Sequence, residues 1–223
     1  MSWDGPTAEW WREEVGADPV YARDVDPLLE ELLDGVGPGS TIDLGCGDGR
    51  LLGRHAAVGV DRSTDLVSAA ARRGSAVVAD VGCLPFATGA WIAAYAVLVL
   101  EHVADPVPLF AETARIVAPG GILAIVVNHP VYTAPGAGPF VDPADGEVLW
   151  RWGAYLQRGA AAEPAGGDSI VFHHRPLGDL LTTAASAGWQ LERLVEHSLD
   201  PAGDALLAAQ TDVPRLLGAR WKR

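Results

Sequence analysis

The sequence predicts an α/β domain in which helices cover both faces of one mostly parallel, doubly wound sheet. Two observations predict this fold class: short apolar runs alternate with helical patterns, and the connections between them are short. A chain of 223 residues, of which 49% are hydrophobic, is long enough for one such domain with a filled core. We therefore expect a single domain over residues 1–223.

Seven runs are predicted as strands. Five are apolar throughout, as in a parallel sheet that is buried on both faces: STIDL, AAVGVD, SAVVAD, WIAAYAV and GILAIVVN. The later runs WQLERLVEHSL and PRLLGARWK are predicted as a strand pair. Helices are predicted over STDLVSAAARRG and DPVPLFAETARIVAPG. A helical cap is predicted over residues 1–38, where YARDVDPLLEELL places its apolar residues on one face.

An insert over residues 129–170 interrupts the alternation after the fifth strand. It is rich in Pro, Gly and Ala, yet contains Trp150, Trp152 and Tyr155. A long aromatic insert at a strand's carboxyl end is typical of a lid or substrate wall. The alternative is a helix that packs these aromatics against the flank of the sheet.

Charge and composition exclude some partners. The formal net charge of −13 disfavours nucleic acid and anionic lipid, since both repel an acidic surface. No apolar run is long enough for a membrane helix, and the beginning of the chain lacks the pattern of a signal peptide. Two cysteines do not make a disulfide framework. We expect a cytoplasmic protein that binds neither nucleic acid nor membrane.

A glycine loop follows the first strand, in the segment TIDLGCGDGR. Ligands of open parallel sheets bind at the carboxyl ends of the strands, where the strand order reverses. The dinucleotide pattern G-x-G-x-x-G fails here, because Arg50 stands where the third glycine belongs. What remains is Asp43 followed by Gly45, Gly47 and Gly49.

Two further acids end the next two strands. Asp61 ends the second strand, where a carboxylate can accept hydrogen bonds from both ribose hydroxyls. Asp80 ends the third strand and can accept from an adenine amino group, while the amide of Val81 or Gly82 donates to a ring nitrogen. The alternative for Asp61 is a helix cap, made by Asp61 or by Ser63. Together the three acids outline a surface shaped for a nucleoside.

The segments IDLGCGDGR, VGVDRS, VVADVGCLPF, VLVLEHVADP and ARIVAPGGILAIVV together resemble the class I S-adenosylmethionine-dependent methyltransferases. The LEHV segment is similar to the small-molecule branch, the methyltransferase type 11-like group, and FHHRPL resembles the tail of bacterial members. The resemblance extends over about residues 21–199. It implies a Rossmann-like, seven-stranded methyltransferase domain whose cofactor is S-adenosyl-L-methionine. One departure is Ile92, which stands where the family commonly has an acid.

The resemblance also implies which residues bind the cofactor. Backbone of the glycine loop and of the end of the fourth strand would hold its methionine part, and Tyr21 would cover it or, alternatively, pack on the helix face. The expected cofactor-binding residues are Tyr21, Asp43, Gly45, Cys46, Gly47, Asp61, Arg62, Asp80, Val81, Ala96 and Val97.

Histidines are the candidate catalytic residues, since a base is needed only when the methyl acceptor carries a proton. His102 and His129 follow the fourth and fifth strands and are the first and second candidates. His174 is expected near the substrate, and Arg175 either binds a substrate carboxylate or begins a helix. Each histidine could instead be structural. No metal site is expected, because His173 and His174 have no further partner at ligand spacing.

The favoured function is methylation of a small-molecule acceptor. The aromatics Trp150, Trp152 and Tyr155 indicate an aromatic acceptor, and whether oxygen, nitrogen or carbon is methylated stays open. The alternatives are a non-catalytic cofactor-binding protein and an NAD-dependent oxidoreductase. The sequence leaves the oligomeric state open.

Overall fold

The computed structural model describes residues 3–223, in which one large sheet carries helices on both faces. The strands are β1 (Thr41–Leu44), β2 (Val58–Asp61), β3 (Ser75–Val78), β4 (Trp91–Val97), β5 (Val117–Asn128), β6 (Gly138–Val141), β7 (Val148–Arg151), β8 (Gly159–Ala165), β9 (Asp168–His174), β10 (Gln190–His197) and β11 (Leu216–Lys222). The α-helices are α1 (Pro6–Trp10), α2 (Asp26–Leu32), α3 (Thr64–Ala70), α4 (Val107–Ile116), α5 (Pro130–Thr133), α6 (Leu177–Ser186) and α7 (Ala205–Ala208). Short π-helical turns span Trp11–Val15 and Tyr21–Val25, and 3₁₀ turns span Pro38–Ser40 and Leu100–His102.

The large sheet has seven strands in the order β10-β11-β5-β4-β1-β2-β3. Strands β1 to β5 pair in parallel, and β11 runs antiparallel to both β5 and β10. The predicted Rossmann-like, seven-stranded and mostly parallel sheet is thus confirmed. Because the strand order reverses between β1 and β4, a crevice is expected at their carboxyl ends.

The central strands divide their side chains between two hydrophobic cores. In β4, Ala94 and Ala96 face the core built with α4 and α6, whereas Tyr95 and Val97 face the core built with α2. Successive residues of a strand point to opposite faces, so a sheet covered on both sides needs apolar residues at every position. This requirement explains the unbroken apolar runs.

The N-terminal segment is helical from Pro6 to Leu32, with a break between its two π-helical turns. Val25, Leu28, Leu29 and Leu32 are buried against the sheet, as the pattern predicts. The first two residues of the predicted cap, 1–38, lie outside the described residues.

Residues 129–170 do not form the helix that was one alternative for them, and the lid or substrate wall stays a prediction. After the short helix α5, the chain forms two separate antiparallel hairpins, β6–β7 and β8–β9. The aromatic segment 147–158, for which a helix was the alternative, contains β7 and the loop after it. Strand β9 continues to His174, so the second hairpin extends beyond the predicted end of the insert at residue 170.

Ile92 lies near the start of β4 with 55% of its surface exposed. The pairing of β4 with β5 shifts its register between Trp91 and Ala93, at this residue. The departure from the family pattern therefore coincides with a local irregularity, and the parallel pairing resumes at Ala93. Over residues 3–223, every helix is too short or too polar to cross a bilayer.

Candidate functional site

One cavity of about 510 Å³ opens at the carboxyl ends of β1, β2 and β4. Its size is in the range of small-molecule sites, and its position is the crevice expected from the strand order. All of the residues expected to bind the cofactor line it, with the exception of Ala96. His102 lies at the other end, beside residues of β9.

The glycine loop forms one wall of this cavity because side chains would not fit there. Gly45 has a φ of 78°, and a Cβ on it would lie 2.3 Å from Val99 Cγ2. Gly47 has a φ of 54°, and a Cβ there would lie 2.7 Å from the Trp11 ring. Positive φ values and such close contacts both require glycine. The loop therefore presents bare backbone to the cavity.

Asp61 holds the glycine loop and the start of α3 together. Its buried carboxylate accepts from the Gly47 amide at 2.9 Å and from the Ser63 amide at 2.9 Å. Burial raises the pKa of Asp61, although these amides oppose the rise. Ser63 is the N-cap of α3 and accepts from the Leu66 amide, so the capping alternative holds for Ser63. Each carboxylate oxygen of Asp61 has a second lone pair for a ligand hydroxyl.

Asp43 lies beneath the loop, with 2% of its surface exposed. Burial raises the pKa of Asp43 to about 8. The Asp61 carboxylate adds to this rise, and the Tyr95 hydroxyl opposes it. A cation bound in the cavity would favour ionised Asp43 over its neutral form.

Asp80, Val81 and Arg62 line the exposed end of the cavity. Asp80 Oδ1 accepts from the Gly82 amide at 2.8 Å, so of the two amides considered for a ring nitrogen, that of Gly82 is engaged. The Val81 amide is therefore the better candidate.

At the end of β4, one residue that was expected to bind the cofactor does not line the cavity, and a neighbouring residue does. Ala96 is fully buried in the opposite core and does not line the cavity, whereas Val97 and Leu98 do. Alternation along the strand explains this correction, because Ala96 and Val97 must point to opposite faces. Leu98 has a φ of 54°, which is rare for a branched aliphatic residue and was not predictable from the sequence.

Arg50 is a lining residue that the sequence did not indicate. Its guanidinium carbon lies 4.5 Å from the centre of the Trp11 ring and 4.3 Å from that of Tyr21. Such cation–π contacts hold the side chain in place. Tyr21 thus both packs and lines the cavity, and burial raises the pKa of its hydroxyl while Arg50 opposes the rise. In the sequence, the one feature that drew attention to Arg50 was its position in the glycine loop, where the dinucleotide pattern requires a glycine.

A backbone contact fixes which nitrogen of the neutral His102 ring carries its hydrogen. Its Nδ1 lies 3.1 Å from the carbonyl oxygen of Val171 on β9. Because a carbonyl can only accept, Nδ1 carries the proton and Nε2 of the neutral ring keeps a free lone pair. Such a nitrogen can take a proton from a ligand.

The 3₁₀ turn that carries His102 is held from two sides. Arg175 donates to the carbonyl oxygens of Leu100 at 3.0 Å and of Ala104 at 2.9 Å, and also to that of Val103. On the other side, the buried Glu101 accepts from the Asn128 side-chain amide at 2.7 Å. Arg175 is therefore engaged with backbone directly ahead of α6, which favours the second alternative, the start of a helix, over a substrate carboxylate.

His129 is corrected from a catalytic candidate to a structural residue. It is 2% exposed, its Nδ1 accepts from the Val131 amide at 3.1 Å, and its Nε2 donates to Glu196 at 3.0 Å. Burial lowers the pKa of His129, and Glu196 opposes this. With both nitrogens engaged and the side chain outside the cavity lining, the ring has no site for a substrate proton.

His174 is likewise structural. Its Nε2 donates to the Tyr155 carbonyl at 2.8 Å, and its Nδ1 accepts from the Thr133 hydroxyl at 3.0 Å. The preceding residue, His173, lines the cavity instead. Burial lowers the pKa of His173, and the nearby Arg175 and His102 lower it further.

The three aromatic residues predicted to contact the substrate lie outside the cavity lining. Trp150 stacks on Tyr132 with ring centres 5.7 Å apart, and Trp152 is 63% exposed. The Tyr155 hydroxyl accepts from the Leu177 amide at 3.3 Å. These residues belong to β6–β7 and its connection, whereas β8–β9 reaches the cavity through Val171 and His173.

Comparisons with known proteins agree with this geometry. Residues 42–125 match the methyltransferase domain family. The structure is similar to an S-adenosylmethionine-dependent methyltransferase from Mesorhizobium loti, with 29% identity and a TM-score of 0.76 over 88% of this chain and 96% of that one. A putative S-adenosylmethionine-dependent methyltransferase from Listeria monocytogenes has the same fold, with 18% identity and a TM-score of 0.77 over 91% and 97% of the two chains.

A curated relative is longer than this chain. An uncharacterized 37.1 kDa protein in transposon TN4556 of Streptomyces fradiae is 35% identical over 116 residues, which are 46% of this chain and 34% of that protein. The match thus spans about a third of the relative's length.

The site residues also fit the cofactor of this family. Buried acids, bare backbone and the Arg50 guanidinium suit a ligand that combines a nucleoside, a cationic sulfur and an amino acid end. Residues 42–125 are thus similar to the methyltransferase domain family, the described chain has the fold of S-adenosylmethionine-dependent methyltransferases, and these similarities support S-adenosylmethionine as its cofactor.

Proposed function

We propose that this chain transfers a methyl group from S-adenosylmethionine to a small-molecule acceptor bound beside His102. One observation carries the proposal: a single cavity contains both the acids and bare backbone at the ends of β1 to β3 and the free Nε2 side of His102. A cofactor held at one end would therefore face an acceptor at the other.

At the cofactor end, each group has a distinct task. Asp61 accepts from ribose hydroxyls, while Asp80 and the Val81 amide pair with the adenine edge. Arg50 binds the carboxylate of the methionine part through Nη2, since two aromatic rings orient its guanidinium while Nε and Nη1 are engaged with Asp48 and with the carbonyl oxygens of Val15 and Gly16. Asp43 balances the cationic end of the cofactor.

S-adenosylmethionine, when bound, supplies a methyl group that is already activated by its sulfonium. The chain's own residues then have to orient the acceptor, exclude water and remove one proton. His102 Nε2 accepts that proton from an acceptor O–H or N–H, and the Val171 carbonyl stabilises the resulting imidazolium through Nδ1–H. The Val171 backbone thus has the role that an acid has in many histidine sites.

The acceptor end favours an uncharged acceptor. Among the described residues that line it, the ionisable groups are His102, His173 and Asp105, and Arg175, which acts on His173, is engaged with backbone carbonyls. A substrate carboxylate or phosphate would thus be desolvated without a matching cation, which is costly. A neutral phenol, alcohol or amine meets no such cost.

Binding and transfer are tested separately. Calorimetry with S-adenosylmethionine, S-adenosylhomocysteine and NADH measures which cofactor binds, and methyl-labelled S-adenosylmethionine with a panel of neutral phenols, alcohols and amines measures transfer. We expect binding of both adenosyl compounds, no response to NADH and label on a neutral acceptor. Tight binding without label transfer to any acceptor would favour a non-catalytic cofactor-binding protein, and NADH binding alone would favour an oxidoreductase.

A further inference from the structure

Trp3 lies at the acceptor end of the cavity. Its ring centre is 5.0 Å from that of His102, with the two planes at 71°, and Trp3 lines the cavity. On its other side, His102 contacts Phe172 of β9 with ring centres 4.6 Å apart. The candidate base is therefore enclosed between an aromatic residue of the N-terminal segment and one of the second hairpin.

Asp4 fixes the position of Trp3 in the chain. Its Oδ1 accepts from the Ser63 hydroxyl at 2.8 Å, the Thr64 hydroxyl at 3.1 Å and the Asp65 amide at 3.2 Å. In return, Asp65 accepts from the Gly5 amide at 2.7 Å. Residues 4 and 5 are thus bound to the first turn of α3 by contacts that reach across about sixty positions of the sequence.

The same turn of α3 is bound to the cofactor end. The Ser63 amide donates to Asp61, while the Ser63 hydroxyl donates to Asp4. Ser63 is fully buried between these two carboxylates. One residue therefore connects the acid that would hold the ribose with the acid that anchors the residue beside His102.

We propose that Trp3 is a wall of the acceptor site that sets which acceptors fit, and that Asp4 is the positioning residue that holds it there. The inference rests on the proposed function for the identity of the acceptor end. Trp3 limits the space next to His102 Nε2 and keeps water from that nitrogen. Asp4 acts through the backbone of residues 3–5 and through Ser63.

The accessibility of His102 to a chemical reagent tests the roles of Trp3 and Asp4, and this test does not require an identified acceptor. Diethyl pyrocarbonate, which reacts with the free nitrogen of a neutral imidazole, is added with and without S-adenosylhomocysteine, and the rate of labelling at His102 is measured by peptide mass spectrometry. We expect Trp3→Ala to increase that rate severalfold and Asp4→Ala to increase it in the same direction. Asp4→Asn keeps an accepting oxygen and should stay close to the unchanged chain.

Two controls separate positioning from loss of structure. Asp142→Ala removes a carboxylate that accepts from the Ala144 amide on the remote hairpin, and it should leave His102 labelling unchanged. His197, which contacts Asp24, reports on general unfolding within the same samples. Equal acceleration at His102 and His197 in the Asp4→Ala variant would overturn the assignment of Asp4 as a positioning residue.

The acceptor panel supplies the second measurement. In the Trp3→Ala variant, we expect KM to fall for larger acceptors relative to smaller ones, so that larger acceptors are preferred. The affinity for S-adenosylhomocysteine should stay unchanged. An unchanged preference together with unchanged His102 labelling would overturn the inference. Failure of the unaltered chain to methylate any acceptor would instead refute the proposed function.

Discussion

The two ends of the cavity are built from different parts of the chain. The acids and bare backbone of the cofactor end lie on the consecutive turns after β1, β2 and β3, and Tyr21 joins them from the N-terminal segment. The acceptor end joins Trp3, the turn at His102 and β9, and the His102–Val171 contact alone spans 69 positions. The first end follows from the fold of the sheet, whereas the second depends on segments that the sheet does not fix.

This difference explains why the cofactor of the family is evident and the acceptor is not. A parallel sheet with these strand ends creates the same acid and backbone positions whatever the insert does. The acceptor end is instead formed by the insert and the N-terminal segment. Such segments on a rigid scaffold commonly differ between related proteins. Substitutions at the two ends should therefore separate cofactor binding from transfer.

The largest effect is expected from His102→Ala. Removing a positioned general base lowers kcat by about 10²–10⁴-fold, and binding of S-adenosylhomocysteine should not change because the ring is at the other end. Label transfer and calorimetry measure the two quantities. His173→Gln is the matched control, and an unchanged kcat in His102→Ala would show that the acceptor needs no base.

Asp61→Ala should act at the cofactor end alone. Hydrogen bonds to a charged group contribute about 1.5–3 kcal/mol, so the affinity for S-adenosylmethionine should fall by about one to two orders of magnitude. Asp80→Ala, at an exposed position, should have a smaller effect. An unaltered titration for Asp61→Ala would remove this residue from the site.

Asp43 gives the cofactor end a pH dependence. Burial raises the pKa of Asp43 from 3.8 to about 8, so the folded chain retains a proton that the unfolded chain loses. The free energy of unfolding should therefore decrease between pH 4 and pH 8 through this group, by at most about 1.4 kcal/mol per pH unit. Asp43→Asn removes this contribution, so its stability relative to the unaltered chain should increase over that range in urea titrations.

The same residue predicts proton release on binding. A cationic ligand favours ionised Asp43, so calorimetry at pH 7 in buffers of different ionisation heat should detect a released proton with the unaltered chain. Asp43→Asn should release none. Equal release by both would assign the proton to another group.

Arg50→Met should lower the affinity for S-adenosylmethionine by about tenfold, which corresponds to the lower range for a charge-assisted hydrogen bond. Methylthioadenosine, which lacks the amino acid end, serves as the control ligand, and its affinity should not change. Equal losses for both ligands would mean that Arg50 supports the loop rather than the carboxylate.

The smallest effect is expected for Trp152→Ala. Exposed residues away from structural features change stability by about 0.5 kcal/mol or less, and Trp152 lies outside the cavity lining. Neither cofactor affinity nor acceptor preference should move. A clear change in acceptor preference would show that the hairpin β6–β7 contributes to the acceptor site.

The strands of the parallel sheet and the acids that follow them were predictable, because the apolar period of each run and the position of each acid decide them. Ala96 could also have been excluded from the sequence, since it alternates with Val97 along β4. The structural roles of His129 and Trp150 could not be predicted from the sequence. His129 contacts Glu196 and Trp150 stacks on Tyr132, and only the folded chain brings these partners together. Arg50 and Trp3 were missed for the same reason: their partners come from distant segments.

The contact between Trp11 and Gly47 has a kinetic consequence. Trp11 and Trp3 form part of the cavity wall, and Asp4 ties this wall to α3. A spent cofactor that leaves on this side must wait until the N-terminal segment separates from the glycine loop. We therefore expect S-adenosylhomocysteine to dissociate past the glycine loop faster from a Trp11→Ala variant than from the unaltered chain.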